Sequence, residues 1–319
     1  MSVVHFVRKL PERGYERSWQ LFYQWIALKL PMRDFADVTV FDREWDVLVL
    51  LDACRIDLMA EVAAGYDWLP APAAVEAGAI DSVAGSSKAW LRRTFLDTHA
   101  EEVANTAYVT GNPFSAVILG DDHRLGRLDE VWRYAWDDDH GSVRPDPITD
   151  RAISVCRDGD FDRVIVHYMQ PHIPFLEHPN IHAANHDDRW DAPDSFVDPD
   201  RRGLDAWRRI QRGELDRDEV WEAYADNLRL GLESVDALRR NVNGALIVSS
   251  DHGNALGERG VWGHPDVPVS GIRVVPWIEL EARDEGTGEP APEPADEERT
   301  ADVDVQERLA SLGYTEKQC

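Results

Sequence analysis

Four short runs rich in apolar and β-branched residues, separated by long polar stretches, dominate the hydropathy pattern of the chain. They lie at residues 46–52, 106–110, 163–169 and 245–250. An apolar run without polar alternation indicates a strand buried on both faces, as strands are in a parallel sheet. The sequence therefore predicts an α/β fold with a mostly parallel central sheet. One more strand is predicted near 273–280, where Pro276 favours an edge or terminal position.

Helical periodicity is clearest between Asp218 and Asn241, where apolar side chains recur every three or four residues. Asp216 or Asp218 is predicted to cap this helix. The aromatic segment 19–28 predicts a second helix that ends before Pro31. Two roles stay open for it: packing against the main domain, or contact with a membrane surface or a partner.

The remaining segments set the expected domain boundaries. We expect an N-terminal helical segment at 1–40, one large domain at 41–283, an acidic proline-rich linker at 284–300 and a helical tail at 301–319. Within the large domain, residues 121–160 are predicted to be polar, with a solvated acidic loop at Asp137–His140. Residues 176–215 are predicted to form a long surface excursion that acts as a lid.

The chain is strongly acidic. Its 319 residues carry 60 Asp and Glu against 34 Lys and Arg, which gives a formal net charge of −26. This charge argues against nucleic-acid binding and keeps a protein soluble by self-repulsion. Only four residues are lysine. An acidic composition poor in lysine predicts adaptation to concentrated salt, where charges are screened within about 3 Å at 1 M.

The cysteines and the first residues predict a cytoplasmic protein. Cys54, Cys156 and Cys319 have no paired spacing, which favours a reducing compartment over a disulfide framework. The first residues lack the apolar core and cleavage site of a signal peptide. No run approaches the ~20 apolar residues of a membrane helix.

Acidic and histidine side chains follow the predicted strands directly. Asp52 ends the first apolar run, and Asp251 and His252 follow the last one. The carboxyl ends of parallel strands meet at one edge of a sheet, where ligands gather. Carboxylate oxygen and neutral imidazole both suit zinc or manganese, so these residues are candidate metal ligands. His172 follows the third strong strand, between two prolines that stiffen its loop.

The Gly85–Ser86–Ser87 corner precedes a helical pattern and leaves two interpretations open. A serine at a helix N-terminus is most often a cap. The same position aims backbone N–H groups at an anion, so a serine there could also attack an ester of phosphorus or sulfur. The choice between Ser86 and Ser87 is nearly even, and Ser87 is preferred.

Six motifs stand in an order that resembles the alkaline phosphatase superfamily, in particular its sulfatase-like hydrolases and lipoteichoic acid synthase-type phosphoglycerol transferases. The motifs are 51–55 (Leu-Asp-Ala-Cys-Arg), 85–87 (Gly-Ser-Ser), 167–172 (His-Tyr-Met-Gln-Pro-His), 250–253 (Ser-Asp-His-Gly), 256–258 (Leu-Gly-Glu) and 263–264 (Gly-His). The resemblance covers about residues 45–280, and the tail Glu307–Tyr314 is also similar to that of many sulfatase-like chains.

The resemblance implies an α/β/α sandwich and a metal-dependent hydrolase or transferase of phosphate or sulfate esters with a covalent intermediate. Its metal ligands would be Asp52, Asp251 and His252, and one divalent ion (manganese, zinc, magnesium or calcium) is expected because Gln170 stands where a second site needs an aspartate. Ser87 would be the nucleophile and His172 a second catalytic residue. The substrate-binding residues would be Arg55, Lys88 and His264.

Two departures from the family pattern limit the assignment. A sulfatase nucleophile stands in a Cys/Ser-x-Pro/Ala-x-Arg context, which residues 86–90 lack. A sulfuric ester hydrolase therefore ranks second, and a catalytically silent scaffold on the same fold is the alternative from another class. Cys54 is interpreted as a small buried residue. The expected partner is a small-molecule, glycan or lipid-linked ester, with weak membrane-surface association left open and the oligomeric state undetermined.

Overall fold

The computed structural model describes residues 38–97, 99–183, 206–288, 295 and 303–314. The predicted helix at 19–28, most of the predicted linker, the middle of the 176–215 excursion and Cys319 lie outside these residues. Among the described residues, no helix combines the length and the apolar character that crossing a membrane requires.

The strands of the described residues are numbered in chain order. They are β1 (Val47–Leu51), β2 (Ile80–Asp81), β3 (Thr106–Thr110), β4 (Arg127–Glu130), β5 (Trp136–Asp137), β6 (Ser142–Val143), β7 (Arg163–Tyr168), β8 (Gly244–Ser249), β9 (Ala255–Leu256), β10 (Trp262–Gly263), β11 (Val274–Val275) and β12 (Trp277–Ala282).

The α-helices are numbered in the same way. They are α1 (Ile56–Ala63), α2 (Pro72–Ala77), α3 (Ser87–Phe95), α4 (Ala100–Ala104), α5 (Phe114–Ile118), α6 (Pro145–Asp158), α7 (Pro179–Ala183), α8 (Ala206–Gln211), α9 (Arg217–Arg239), α10 (Ser270–Arg273) and α11 (Val305–Ser311). Short 3-10 helices lie at Val40–Asp42, Val131–Arg133 and Glu258–Gly260.

Six strands form the central sheet, in the order β12-β8-β1-β7-β3-β4. The pairs from β8 to β4 are all parallel, and β12 joins antiparallel at the edge. The predicted mostly parallel sheet is therefore confirmed. Pro276 stands immediately before β12, so the predicted edge position of the last strand is confirmed as well.

Alternate side chains of the central strands enter two separate cores, one on each face of the sheet. Val47, Val49 and Leu51 of β1 pack in the core that includes buried residues of α1, α6 and α9. Leu48 and Leu50 pack in the other core, with buried residues of α3. Since successive strand residues point to opposite faces, a fully apolar strand is the signature of this three-layer arrangement. The structure is the predicted α/β/α sandwich.

Two predicted helices are confirmed, and a local sequence signal accounts for the start of the longer one. The Asp216 side chain accepts hydrogen bonds from the backbone N–H groups of Asp218 (2.9 Å) and Glu219 (3.1 Å), which fixes the start of α9 as predicted. The predicted C-terminal helix is present as α11.

The sequence analysis predicts a polar region at residues 121–160 and no helix or strand within it. A turn follows β5 at 138–140, inside the expected acidic loop, but α6 fills the second half of the region and β4 joins the sheet. Charged residues weaken the hydrophobic pattern of both elements. Helix α6 exposes a polar face, and strand β4 contains Asp129, which is buried because it pairs with Arg151. The predicted linker is also anchored where it begins, since Asp284 pairs with Arg157 at 2.9 Å.

Candidate metal centre and active site

Four neighbouring strands deliver polar side chains to one edge of the sheet. Asp52 follows β1, Asp251 lies two residues beyond β8, His167 is the penultimate residue of β7, and Asn112 lies two residues beyond β3. All four side chains are buried, with exposed fractions of 1% or less. The parallel order β8-β1-β7-β3 makes these carboxyl ends adjacent, which explains how residues up to 199 positions apart meet.

Short hydrogen bonds lock the loops after β1 and β8 together. The Ser250 hydroxyl donates to the carbonyl of Leu51 at 2.6 Å and accepts from the backbone N–H of Cys54 at 2.9 Å. Gly253 follows because a side chain at this position would collide with the carbonyl oxygen of Gly271. Asp251 and His252 thus lie between the Ser250 hydrogen bonds and the close contact of Gly253 with Gly271, which together hold their loop in place.

Each carboxylate has one satisfied oxygen and one unpartnered oxygen. Asp52 Oδ2 accepts from Asn112 Nδ2 at 2.7 Å and lies 3.4 Å from the Ser87 hydroxyl. Asp251 Oδ1 accepts two backbone N–H groups at 2.9 and 3.1 Å. Among the described residues, Asp52 Oδ1 and Asp251 Oδ2 have no hydrogen-bond partner. A buried carboxylate oxygen left in this way is costly unless a cation satisfies it.

The electrostatics of the pair are asymmetric. Burial, followed by repulsion from Asp251, raises the pKa of Asp52 well above its ordinary value. Burial also acts to raise the pKa of Asp251, but the His252 and His167 rings and local hydrogen bonds outweigh it, so this pKa is lowered. Burial lowers the pKa of His167 to about 4, which keeps its imidazole neutral. Neutral imidazole is the form that binds metals.

The residues present fit a divalent metal ion. Asp52, His167 and Asp251 offer ligand atoms that all lie within 4.8 Å of one another. His252 Nε2 lies 3.4 Å from Asp251 Oδ2 and 3.8 Å from Asp52 Oδ1. Oxygen and imidazole donors in this number suit zinc, manganese or related ions. The predicted set of Asp52, Asp251 and His252 is brought together, and His167 joins it; these four residues are called the inner cluster.

Helix α3 distinguishes the two serines of the Gly–Ser–Ser corner. Ser86 is the N-cap, and its side chain accepts from the backbone N–H of Ala89. Ser87 is the first helical residue and points inward, with Oγ 3.2 Å from His252 Nε2 and 3.4 Å from Asp52 Oδ2. The cap and the inward hydroxyl are therefore two different residues, and only Ser87 contacts the candidate metal ligands.

Three aromatic side chains form the outer wall of the site. His172 Nε2 lies 3.1 Å from His264 Nε2 and 3.3 Å from the hydroxyl of Tyr314. The His264 ring stacks on His252, with centroids 4.6 Å apart. Burial, followed by the neighbouring His252 and His172, lowers the pKa of His264 well below its usual value. The three rings border the inner cluster on the side of His252.

Asn227 of α9 holds the loop that carries His172. Its Nδ2 group lies within 3.2 Å of the carbonyl oxygens of Pro171, His172 and Pro174, and its Oδ1 accepts from the backbone N–H of Leu176. The His172 imidazole is oriented by its contact of 2.5 Å between Nδ1 and the Ile173 carbonyl. The Nε2 atom therefore faces the site.

Arg55 binds protein groups through three guanidinium nitrogens, and its predicted role in substrate binding stays a prediction. Its Nε and Nη2 atoms bind both carboxylate oxygens of Asp57, and Nη1 binds Glu258 and the carbonyl of Asn254. Through these contacts, the guanidinium connects the start of α1 to the segment 254–258, which follows β8. Lys88 lies on the first turn of α3 and is half-buried, and its predicted role in substrate binding stays a prediction.

Sequence reasoning missed three residues of the site: Asn112, His167 and Tyr314. Asn112 stands in the exit turn of β3, where the sequence offers only the signal of a strand end. His167 lies inside an apolar run and reads as part of the strand. Tyr314 belongs to the tail motif, whose position over the site depends on the docking of α11.

The sequence matches no protein-family model and no curated protein, whereas comparison with solved structures finds similar folds. Lipooligosaccharide phosphoethanolamine transferase A from Neisseria meningitidis is 14% identical with a TM-score of 0.47, over 84% of this chain and 54% of that one. A protein of the alkaline phosphatase superfamily from Vibrio parahaemolyticus is 12% identical with a TM-score of 0.38, over 78% and 62%. Lipoteichoic acid synthase LtaP from Listeria monocytogenes is 11% identical with a TM-score of 0.41, over 77% and 66%.

The chain spans about half the length of the Neisseria meningitidis transferase. Because every one of the three TM-scores lies below 0.5, the similarities by themselves establish no function. A function has to be inferred from the geometry of the inner cluster.

Proposed function

We propose that the protein is a metal-dependent phosphoesterase or phosphotransferase that uses Ser87 as its nucleophile. The observation that carries the proposal is the position of the Ser87 hydroxyl, 3.2 Å from His252 and 3.4 Å from Asp52, beside two unpartnered carboxylate oxygens. A serine hydroxyl is a weak nucleophile unless a neighbouring base or cation activates it. Ser87 lies beside the Asp52 carboxylate, which can act as a base, and beside the residues that would hold the cation.

The chain's own residues supply the positioning. Asp52, Asp251 and His252 would hold a divalent ion, which when bound stabilises negative charge on the serine oxygen and on the ester. The N-terminus of α3 presents backbone N–H groups to the same space, and these bind anionic oxygens. Asn112 keeps the Asp52 carboxylate oriented through its hydrogen bond of 2.7 Å.

Proton transfer is divided between the inner cluster and the outer wall. Asp52 Oδ2 lies 3.4 Å from the Ser87 hydroxyl and would accept its proton, since the Nε2 atom of His252 would be occupied as a metal ligand. The leaving oxygen departs on the side of His172 and His264, whose Nε2 atoms face the site. In the second half of the reaction, water or an acceptor alcohol attacks the serine ester, and the same histidines accept its proton.

The local sequence favours phosphate over sulfate esters. Ser87 is followed by Lys88 and Ala89, and Leu91 stands where the sulfatase context has arginine. Leu91 is fully buried in the core under α3, so this position is a packing position here. Hydrolysis of sulfate esters remains the second candidate function.

An ester panel with matched serine variants tests the proposal. The full chain is assayed on chromogenic phosphate monoesters, phosphate diesters and sulfate esters, with manganese, zinc or a chelator. We expect metal-dependent cleavage of a phosphate ester that Ser87→Ala reduces by roughly 10³-fold or more. Ser86→Ala is the control, because it removes a cap and costs about 1 kcal/mol of stability.

Either of two results would contradict the proposal. One is equal activity of Ser87→Ala and the native chain; the other is cleavage that persists at full rate in chelator. Activity on sulfate esters alone would replace the phosphate assignment with the sulfate one. The cytoplasmic location, the salt adaptation and a lipid- or glycan-linked substrate stay predictions beside this test.

A further inference from the structure

His167 is a buried histidine beside the two carboxylates of the candidate metal site. It is the penultimate residue of β7 and has no exposed surface. Its Nε2 atom lies 3.8 Å from Asp52 Oδ2 and 3.8 Å from Asp251 Oδ2. Among the described residues, this nitrogen has no hydrogen-bond partner. A buried imidazole nitrogen without a partner is uncommon and calls for a physical reason.

The opposite ring nitrogen is held by a tyrosine. His167 Nδ1 lies 2.7 Å from the hydroxyl of Tyr108, a buried residue of the neighbouring strand β3. The strand register pairs His167 with Thr110, so Tyr108 is a diagonal neighbour on the same face. Metal binding through Nε2 requires the ring proton to lie on Nδ1, where the Tyr108 oxygen would accept it.

The same arrangement occurs at His252. There, Nδ1 lies 2.9 Å from the carbonyl oxygen of Gly253, and Nε2 faces the two carboxylates. Metal-binding histidines usually donate one ring N–H to an oxygen of this kind and bind the ion through the other nitrogen. His167 and His252 thus present their Nε2 atoms to Asp52 and Asp251 from two different strand ends.

The distances exclude a simple ion pair between His167 and the carboxylates. A charge-assisted hydrogen bond between imidazolium and carboxylate is about 2.7–2.9 Å long. At 3.8 Å, the His167 nitrogen is too far for such a bond. Two ligands that each lie about 2.0–2.2 Å from one ion can be up to roughly 4 Å apart. The gap therefore suits a shared ion.

We propose that one divalent ion is bound by both imidazoles and both carboxylates, and that Tyr108 fixes the tautomer of His167 for this purpose. The inference rests on the metal-dependent function proposed above and adds His167 as a ligand and Tyr108 as a positioning residue. Two carboxylates balance the charge of the ion, as burial requires. Two imidazoles favour zinc or iron over magnesium and calcium, which prefer oxygen ligands.

Metal titration of the full chain tests the inference. The metal-free protein is titrated with zinc and with manganese by calorimetry, and the manganese form is examined by pulsed electron paramagnetic resonance, which detects directly bound imidazole nitrogens. The variants are His167→Ala and Tyr108→Phe, with His178→Ala as the matched control. His178 lies outside the inner cluster, where its Nε2 atom is 2.7 Å from Asp226 Oδ2.

The expected results differ between the variants. The native chain should bind zinc more tightly than magnesium and give the signal of two imidazoles. His167→Ala should lose one of these and weaken the affinity by roughly 100-fold, and Tyr108→Phe should keep both and weaken it about 10-fold, the range for residues that orient ligands. His178→Ala should match the native chain.

Two different failures can be told apart. If the native chain binds the ion while His167→Ala and Tyr108→Phe keep its affinity and its two-imidazole signal, the inference is overturned and the proposed function survives. If the native chain binds none of these ions, both are overturned. If His167→Ala does not fold, Tyr108→Phe and the native chain still test the inference. It is overturned if Tyr108→Phe binds the ion with native affinity and the native chain gives the signal of only one imidazole.

Discussion

Two buried aspartate clusters lie on the same sheet and are satisfied in opposite ways. Asp129 on β4 binds Arg151 Nε at 2.5 Å and the Tyr134 hydroxyl at 2.7 Å, so both of its oxygens have donors. Asp52 and Asp251 are buried just as deeply, but one oxygen of each has no partner among the described residues. The first cluster carries its own cation, whereas the second places two carboxylates beside the imidazoles of His167 and His252.

The difference separates a structural ion pair from a binding site. A buried pair is destabilised when one partner is removed, because the other charge is left uncompensated. A buried acidic pair with open oxygens is instead completed by an added cation. Substitutions in the first cluster should therefore change stability, and those in the second should change binding and catalysis.

The largest expected effect comes from a reciprocal pair of variants, Asp251→Asn and Asp129→Asn. Asp251→Asn should reduce ester cleavage by roughly 10³-fold or more, because it removes a metal ligand. Asp129→Asn should lower the free energy of unfolding by about 3–5 kcal/mol, since it leaves Arg151 buried without its counter-charge. Activity assays and denaturant melts on both variants check this. If Asp129→Asn lost metal binding but kept native stability, the Asp129 cluster would not be the structural ion pair described above.

Removal of the ion should destabilise the native chain. An ion present at 100 times its dissociation constant stabilises the folded state by about 2.7 kcal/mol. The melting temperature measured in chelator should therefore fall by several degrees, and added zinc or manganese should restore it. Asp251→Asn should show no such shift. An equal response of Asp251→Asn to added metal would place the stabilising ion elsewhere.

Arg55→Lys should affect stability more than substrate binding. The guanidinium makes a two-pronged contact with Asp57 and further contacts with Glu258 and the Asn254 carbonyl, which an ammonium cannot reproduce. We expect a loss of roughly 2 kcal/mol, the size for a charged hydrogen bond, with KM for the ester nearly unchanged. A large rise in KM at native stability would instead support the substrate-binding role predicted from the sequence.

Tyr314→Phe should give the smallest effect. It removes the hydroxyl 3.3 Å from His172 Nε2 and keeps the ring that stacks on His172 and contacts Phe114. We expect kcat/KM to fall about 10-fold, or about 1.4 kcal/mol, with the metal affinity unchanged. Calorimetry and steady-state kinetics on the same preparation separate the two quantities. A changed metal affinity would instead link the tail to the inner cluster.

The sequence predicts the sheet well because its central strands are buried on both faces. The runs around Asp52 and Asp251 show this burial directly as uninterrupted apolar residues. Element β4 was missed because its buried charge depends on Arg151, a partner from α6 that no local pattern reveals. Periodicity reports one element at a time, whereas such pairing requires the packed structure.

The same limit applies to the site. Asp52, Asp251 and His252 could be predicted because they directly follow strands, and Ser87 could be proposed from its helix start. The division between Ser86 as cap and Ser87 as inward hydroxyl depends on the rotation of α3 against the sheet. Asn112 and Tyr314 enter through tertiary contacts, which leave no signature in neighbouring residues.

The most direct test of the central claim is to trap the intermediate on the serine. The full chain with manganese or zinc is mixed with the best ester of the panel and quenched in acid, and the peptides are analysed by mass spectrometry. The proposed mechanism predicts a phosphoryl-bearing adduct on Ser87, absent in chelator and in Asp251→Asn. An adduct on another residue, or steady metal-dependent turnover through direct attack of water with no adduct on Ser87 even at the earliest quench, would contradict it.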